Sequence, residues 1–429
     1  MWEVTIVGVM PHRCPWSAPD TPVLVELQRR VGLADAVTIG AGSMIGAGVF
    51  TAWAPAADAA GRALLVGLVI AAAVAFCNAT SSAQLAALHP ESGGTYVYAR
   101  YRLGPAWGHL AGWGFVVGKT ASCAAMALAV GAYVWPAQQR LAAALAVVLI
   151  TAVNLGGLER TAFVTRWLLA CSLVALIVVV VAGWSSDETS LATLTPLDAG
   201  IPEVLRSAGF LFFAFAGYAR IATLGEEVVD PEVTIPRAIT RALTFVLIVY
   251  AIVGVTALAS TPVDVLAGSD APLKAVVDGS PLDALAPVVE IGAAIASLGV
   301  LLNLIPGVSR TTLAMARRAE LPEWLAHVDG RRNQPLRAEL TVAGVVLLLV
   351  LVVGLHSAIA LSGVAVLTYY AITNAAAFTL PPEERRWPRW ICVVGAVGCL
   401  ALAVFLPFEV VLVGTAVLLL GVVIRRVTS

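Results

Sequence analysis

The sequence predicts an all-α polytopic membrane protein of about twelve transmembrane helices. Three observations carry this. Of the 429 residues, 59% are hydrophobic and 12% charged, against about 25% charged in an average soluble protein. Apolar runs of roughly 20 residues recur along the chain, each long enough to cross a hydrocarbon core ~30 Å thick. The loops between them are short, the longest near 262–281 and 317–337, so no soluble catalytic domain is expected.

Residues 1–32 come first. Their apolar runs are broken by Pro11, Pro15, Pro19 and Pro22, which reads as a cytoplasmic N-terminal segment rather than a secretory signal. A first group of five spans follows near 33–57, 62–88, 105–135, 138–156 and 163–184, filling 33–184. A second group lies near 203–225, 238–261, 282–316, 338–355 and 357–380, filling 203–380. Two extra spans, near 388–406 and 408–425, precede a short tail at 426–429. The third and eighth spans exceed a straight crossing, which predicts tilt or extension past the bilayer.

Basic residues fix the orientation. Arg13, Arg29, Arg30, Arg100, Arg102, Arg160, Arg166, Arg237, Arg241, Arg310, Arg317, Arg318, Arg331, Arg332, Arg337, Arg385, Arg386, Arg389, Arg425 and Arg426 fall on one side of these spans. Arg62, Arg140, Arg206 and Lys274 fall on the other, among Asp187, Glu188, Asp264, Asp270 and Asp278. The asymmetry puts both termini in the cytoplasm and the chain in the cytoplasmic membrane.

The same composition narrows the function classes. A net charge of −1 without a basic tail gives nucleic acid nothing to bind. The six cysteines form no C-x-x-C pair, and five lie in apolar spans, where they serve as small fillers. His12, His89, His109, His327 and His356 are scattered, without metal spacing or a nucleophile–base set, so no enzyme, cofactor or metal is expected. The partners left are the lipid bilayer and a small molecule; oligomeric state stays open.

Within the first span lies Gly40-Ala41-Gly42-Ser43-Met44-Ile45-Gly46-Ala47-Gly48. Four glycines in nine positions disfavour a helix interior, each by about 0.5–1 kcal/mol. Two readings follow. A broken helix would aim freed N–H and C=O groups at a polar cavity, as in secondary transporters. Alternatively, the glycines let neighbouring helices approach closely. The sixth span, Gly209 to Tyr218, repeats the theme with a glycine among aromatics. Interruption of the first and sixth spans matches a binding site between two five-helix repeats of inverted topology.

Three charges lie inside spans: Lys119 mid-way along the third, Arg220 in the sixth and Glu290 in the eighth. A central charge costs about 2.5–3.5 kcal/mol on insertion scales, so each needs a partner or a cavity. Lys119 is the deepest and is the candidate proton-coupling residue, with Glu290 as its candidate partner. The alternative is a static ion pair, or snorkelling for Arg220 and Glu290.

Four motifs in register carry a family resemblance. Gly42 to Phe50 is similar to G-x-x-I-G-x-G-I-F, and Pro90 to Tyr98 to P-x-x-G-G-x-Y-x-Y. Phe212 to Gly217 with Gly225-Glu226-Glu227-Val228-Val229-Asp230-Pro231 and Ile235-Pro236-Arg237 resembles a sixth helix and its loop. Ser309-Arg310, Ala314 to Arg317 and Leu321-Pro322 resemble the end of an eighth. The chain thus resembles the amino acid–polyamine–organocation (APC) superfamily of transporters. The resemblance implies a LeuT-like 5+5 inverted repeat with broken first and sixth helices, and transport of amino acids or related amines. It also implies that Ser43, Met44, Ile45, Gly46, Ala47 and Gly48 surround the substrate's carboxylate and amine. Phe213, Ala214, Phe215, Ala216 and Gly217 would form the opposite wall, with Phe213 as a gating aromatic. The apolar walls favour a neutral or modestly polar amino acid over a polyamine, while Glu290 keeps a cationic substrate open; the alternative to a transporter is a paralogue that binds substrate or regulates without transport. Two positions depart from relatives: Ala219-Arg220 stands where several carry an acid, and Ser172 where some proton-coupled members carry a lysine.

Overall fold

Every apolar run expected to span the membrane is helical in the computed structural model, which describes residues 31–89, 93–156, 162–187, 189–195, 199–222, 228–329 and 334–428. The N-terminal segment up to residue 30, Pro90 to Ser92, Gly225 to Glu227, Arg160, Glu188, Arg331 and Arg332 lie outside the described residues. The first span is three pieces, α1 (Leu33–Met44), α2 (Ala47–Thr51) and α3 (Trp53–Ala60). Then come α4 (Leu64–Leu88), the short α5 (Thr95–Leu103), α6 (Pro105–Val134), α7 (Gln139–Leu155) and α8 (Ala162–Ser185). The second group comprises α9 (Ile201–Phe215), α10 (Ala219–Ala222), α11 (Pro231–Ser260), the loop helices α12 (Val263–Ala267) and α13 (Pro272–Asp278), α14 (Ala286–Ala316), α15 (Leu336–Val352) and α16 (Leu355–Phe378). Last are α17 (Arg389–Phe405) and α18 (Phe408–Thr428).

Nine helical stretches among the described residues are long and apolar enough, by length and composition, to cross a membrane. Three expected spans fall short of that length for visible reasons. The sixth is interrupted after Phe215, and α15 and α17 have 17 residues each. The third and eighth spans are the long helices expected, with 30 residues in α6 and 31 in α14. The seventh begins earlier than the expected 238. Pro231 opens α11 at its first turn, where its missing N–H costs nothing, and the helix runs on through Pro236.

α6 is the axis of the molecule, packed against α14 on one side and α16 on the other. Its small residues permit this. A Cβ on Gly118 would stand 2.8 Å from Val366 Cγ2. Hydroxyl and amide pairs hold the helices together, including Ser122 with Ser362 at 2.6 Å and Thr95 with Thr373 at 2.7 Å. α1 lies between α8 and α11, and α9 lies against α4. The outward faces of α8, α15, α17 and α18 carry exposed apolar side chains such as Ile177, Leu348, Val397 and Leu419, as a lipid-facing surface requires.

The basic residues gather at one end. Arg100 pairs with Glu320, Arg102 bonds the Thr379 carbonyl, and Arg386 bonds the Glu232 carbonyl. Lys274 with Asp278 and His356 near Asp270 mark the other end. The two sets face opposite ends of the bundle, as the hydropathy reading of the spans required.

Candidate functional site

The α1 break is local chemistry. Ile45 (φ −78°, ψ 72°) and Gly46 (φ −123°, ψ −152°) leave the helix, and the chain re-enters it at Ala47. No side chain caps α2, so its first N–H groups face the interior. On the other half, the Met44 carbonyl receives the Gly46 N–H at 2.8 Å and the Tyr250 hydroxyl at 2.7 Å. A freed carbonyl in a membrane interior needs such a donor.

The second break starts where α9 ends at Phe215; Ala216, Gly217 and Tyr218 form a turn before α10. The two breaks abut. A Cβ on Gly48 would lie 2.6 Å from Ala214 Cα, and one on Gly217 would collide with the Ser43 carbonyl. One on Gly46 would lie 2.6 Å from Val300 of α14. The two readings of the glycine stretch are therefore both realised: the helix is broken, and glycines bring the broken pieces together.

Donors cover the carbonyls of the second break as well. Tyr250 also donates to the Ala214 carbonyl at 3.0 Å. The Ala216 carbonyl receives Lys119 Nζ at 3.1 Å and the Tyr370 hydroxyl at 3.3 Å. Lys119 is buried, with a side chain reaching from α6 to the α9 break.

A cavity of about 280 Å³ opens beside this junction. Ser43, Met44 and Gly48 wall it from the first break, Phe213, Ala214, Ala216 and Gly217 from the second, and Lys119 from α6. It continues toward the arginine-rich end past Asn303, Arg310, Thr311 and Tyr96. Ile45 lines a smaller cavity of about 120 Å³ instead, behind α1, which shares Ser43, Arg220 and Asn303 with the first and also touches Ser172. Gly46, Ala47 and Phe215 sit in the walls rather than on the cavity. The Phe215 ring packs on Tyr250 at 5.0 Å between centroids. Glu290 is not brought to Lys119. It lies at the other end of the bundle, 3.6 Å from Lys274.

On either side of the junction stand side chains that a hydropathy reading overlooks. Toward the arginine-rich mouth, Tyr96 donates to Glu320 at 2.8 Å, Arg100 pairs with the same carboxylate, and His109 Nδ1 stands 3.7 Å from it. Burial alone would raise the Glu320 carboxyl, but the nearby His109 ring and the hydrogen bonds from Tyr96 and Arg100 outweigh it and hold it below its ordinary range. Burial and the neighbouring Glu320 charge push the Tyr96 phenol up to about 12, so it stays a donor. At the far end, Tyr133 donates to the Phe50 carbonyl at 2.6 Å and receives the Leu273 N–H of α13 at 3.4 Å, which seats the loop helix over the first break. Tyr96, Tyr133, Tyr250 and Tyr370 had one usable signal: a tyrosine inside an apolar run must hand its hydroxyl to something.

The profile of a family described as amino acid permease matches residues 31–423, nearly the whole described chain. The chain belongs to the amino acid permease family. This permease is thus an integral membrane protein of the APC superfamily and acts on a small molecule in a membrane setting. It is 56% identical over 408 residues to a protein of Mycobacterium bovis named an uncharacterized transporter, covering 94% of this chain and 93% of that one. It is 24% identical to a branched-chain amino acid permease of Bacillus subtilis, covering 85% and 83%. A vacuolar cationic amino acid transporter of Arabidopsis thaliana is 26% identical, covering 74% of this permease and 57% of the relative.

Proposed function

We propose that the chain is a secondary transporter that carries an amino acid or related amine across the cytoplasmic membrane, with both termini in the cytoplasm. The observation that carries this is the meeting of two broken helices at one cavity, with backbone from both breaks on its walls. Such a junction offers dipoles to both ends of a zwitterion without a dedicated charged pair. In this reading α1–α8 and α9–α16 are the two inverted five-helix repeats, and α17 and α18 are additions. Lys119 is the coupling group: it bridges the scaffold helix α6 to the α9 break, so a change in its charge acts directly on the backbone beside the substrate.

The relatives' names span branched-chain and cationic amino acids, so they do not choose the substrate. The cavity favours a zwitterion over a polyamine or a cationic amino acid. Lys119, Arg220 and Arg310 line it, and no Asp or Glu does among the described residues. Uptake of labelled amino acids into proteoliposomes, with and without an imposed pH gradient, tests the reading. Substrate-dependent accumulation supports it. Ligand-induced thermal stabilisation without uptake would show a binding or regulatory paralogue instead.

A further inference from the structure

We infer that the preferred substrate carries a second carboxylate: an acidic amino acid, whose side-chain carboxylate is balanced by Lys119. The inference rests on the amino acid transport reading above and narrows its substrate class.

The argument is charge balance. Lys119 is 7% exposed, and its ammonium makes one hydrogen bond, to the Ala216 carbonyl at 3.1 Å. An ammonium has three donors, so two remain for a ligand among the described residues. No carboxylate pairs with it there; Glu290, the only acid the sequence placed in a span near its depth, lies against Lys274. A buried ammonium without a counter-ion is costly, and an anion arriving in the same cavity removes that cost. Arg310, farther along the cavity, adds positive charge of its own.

The neutral lining agrees. The polar residues Ser122, Asn303 and Thr311 line the cavity beside the cations, and no Asp or Glu does among the described residues. The carbonyls of the breaks, which an additional ammonium on the substrate would need, already receive Tyr250, Tyr370 and Lys119. A zwitterion with a neutral side chain brings no net charge and leaves Lys119 uncompensated. A cationic side chain adds to the imbalance. An acidic amino acid brings a net charge of about −1 at neutral pH, opposite in sign to the cations that line the cavity, of which Lys119 is the most buried.

The test is a binding and competition panel on the full-length protein in detergent and in proteoliposomes. L-aspartate and L-glutamate are compared with L-asparagine, L-glutamine, L-leucine and L-lysine. The acids are expected to bind at least tenfold more tightly than their own amides, which share their size and shape. In Lys119→Gln the ratio of acid to amide affinity is expected to fall to near one; in Lys119→Arg it is expected to persist in part. Wild-type protein that prefers amides, leucine or lysine to the acids overturns the inference while leaving the transport reading standing. An acid preference unchanged in Lys119→Gln also overturns the role given to Lys119. Absence of binding by every amino acid in the panel overturns both readings together.

Discussion

The hydroxyl of Tyr250 on α11 lies 2.7 Å from the carbonyl oxygen of Met44, the last residue of α1, and 3.0 Å from that of Ala214 in α9. One phenolic O–H is thus shared between a carbonyl of each of the two interrupted helices and ties them together. Removing it in Tyr250→Phe takes the shared O–H from both carbonyls at nearly constant shape, leaving Met44 with the Gly46 N–H and the Ala214 carbonyl short of its side-chain donor. A loss of about 1–3 kcal/mol is expected, read as a lower thermal midpoint in detergent. Substrate affinity should fall as well, because the two halves of the site lose their common tie. An unchanged midpoint would remove Tyr250 from this role.

Gly48→Leu is expected to abolish substrate binding while membrane insertion and expression persist. The added side chain has nowhere to go except the Ala214 backbone, 2.6 Å from the first added carbon, or the cavity itself. Gly217→Ala is the finer probe, since even a methyl group there strikes the Ser43 carbonyl. Wild-type uptake in both variants would dissociate transport from this junction.

For coupling, Lys119→Met removes the ammonium and keeps most of the stem. Accumulation driven by a pH gradient should be lost, and counterflow exchange of a substrate that the variant still binds should be partly retained. Accumulation at wild-type rates against a gradient would exclude Lys119 as the coupling group and leave it a static brace between α6 and α9.

At the mouth, Glu320 predicts an acid-sensitive contribution to stability. Its folded carboxyl sits below the ordinary range, so it favours the folded state fully above that range. The contribution disappears as pH falls through the depressed folded value. Glu320→Gln should therefore be less stable than wild type at neutral pH, by about 1–3 kcal/mol. The gap should close on acidification. Thermal unfolding of the two proteins across pH checks this; a gap that widened in acid would reverse the assignment.

Much of this was legible in the residues. The apolar runs located every long helix, because insertion into lipid leaves the backbone little alternative. Gly46 and Gly217 marked both interruptions, since four glycines in nine positions and a glycine among aromatics have few other uses inside a span. Lys119 was picked out by depth alone, and it does face the cavity. Its supposed partner was not legible. Glu290 is only the fifth residue of α14, at the end of the bundle where Lys274 meets it, whereas Lys119 stands mid-way along α6; apolar runs locate a span without fixing where along it a charge meets the surface. The hydroxyls of Tyr250, Tyr370 and Tyr133 were missed for a related reason. Hydropathy treats a tyrosine as an apolar ring, and its partner is a carbonyl that exists only once a distant helix has been broken.

The Val229 N–H donates to the Val31 carbonyl at 3.0 Å, joining the approach to α1 with the approach to α11. In mechanical terms this is a hinge pin at the base of a lever. If α1 tilts to widen the cavity, the pin must either shear or drag the connection leading from α10 into α11. The first outcome costs a hydrogen bond at each stroke; the second makes both interrupted helices swing as a single arm. A gate joined in this way opens one leaf alone only by breaking the bond that pairs the leaves.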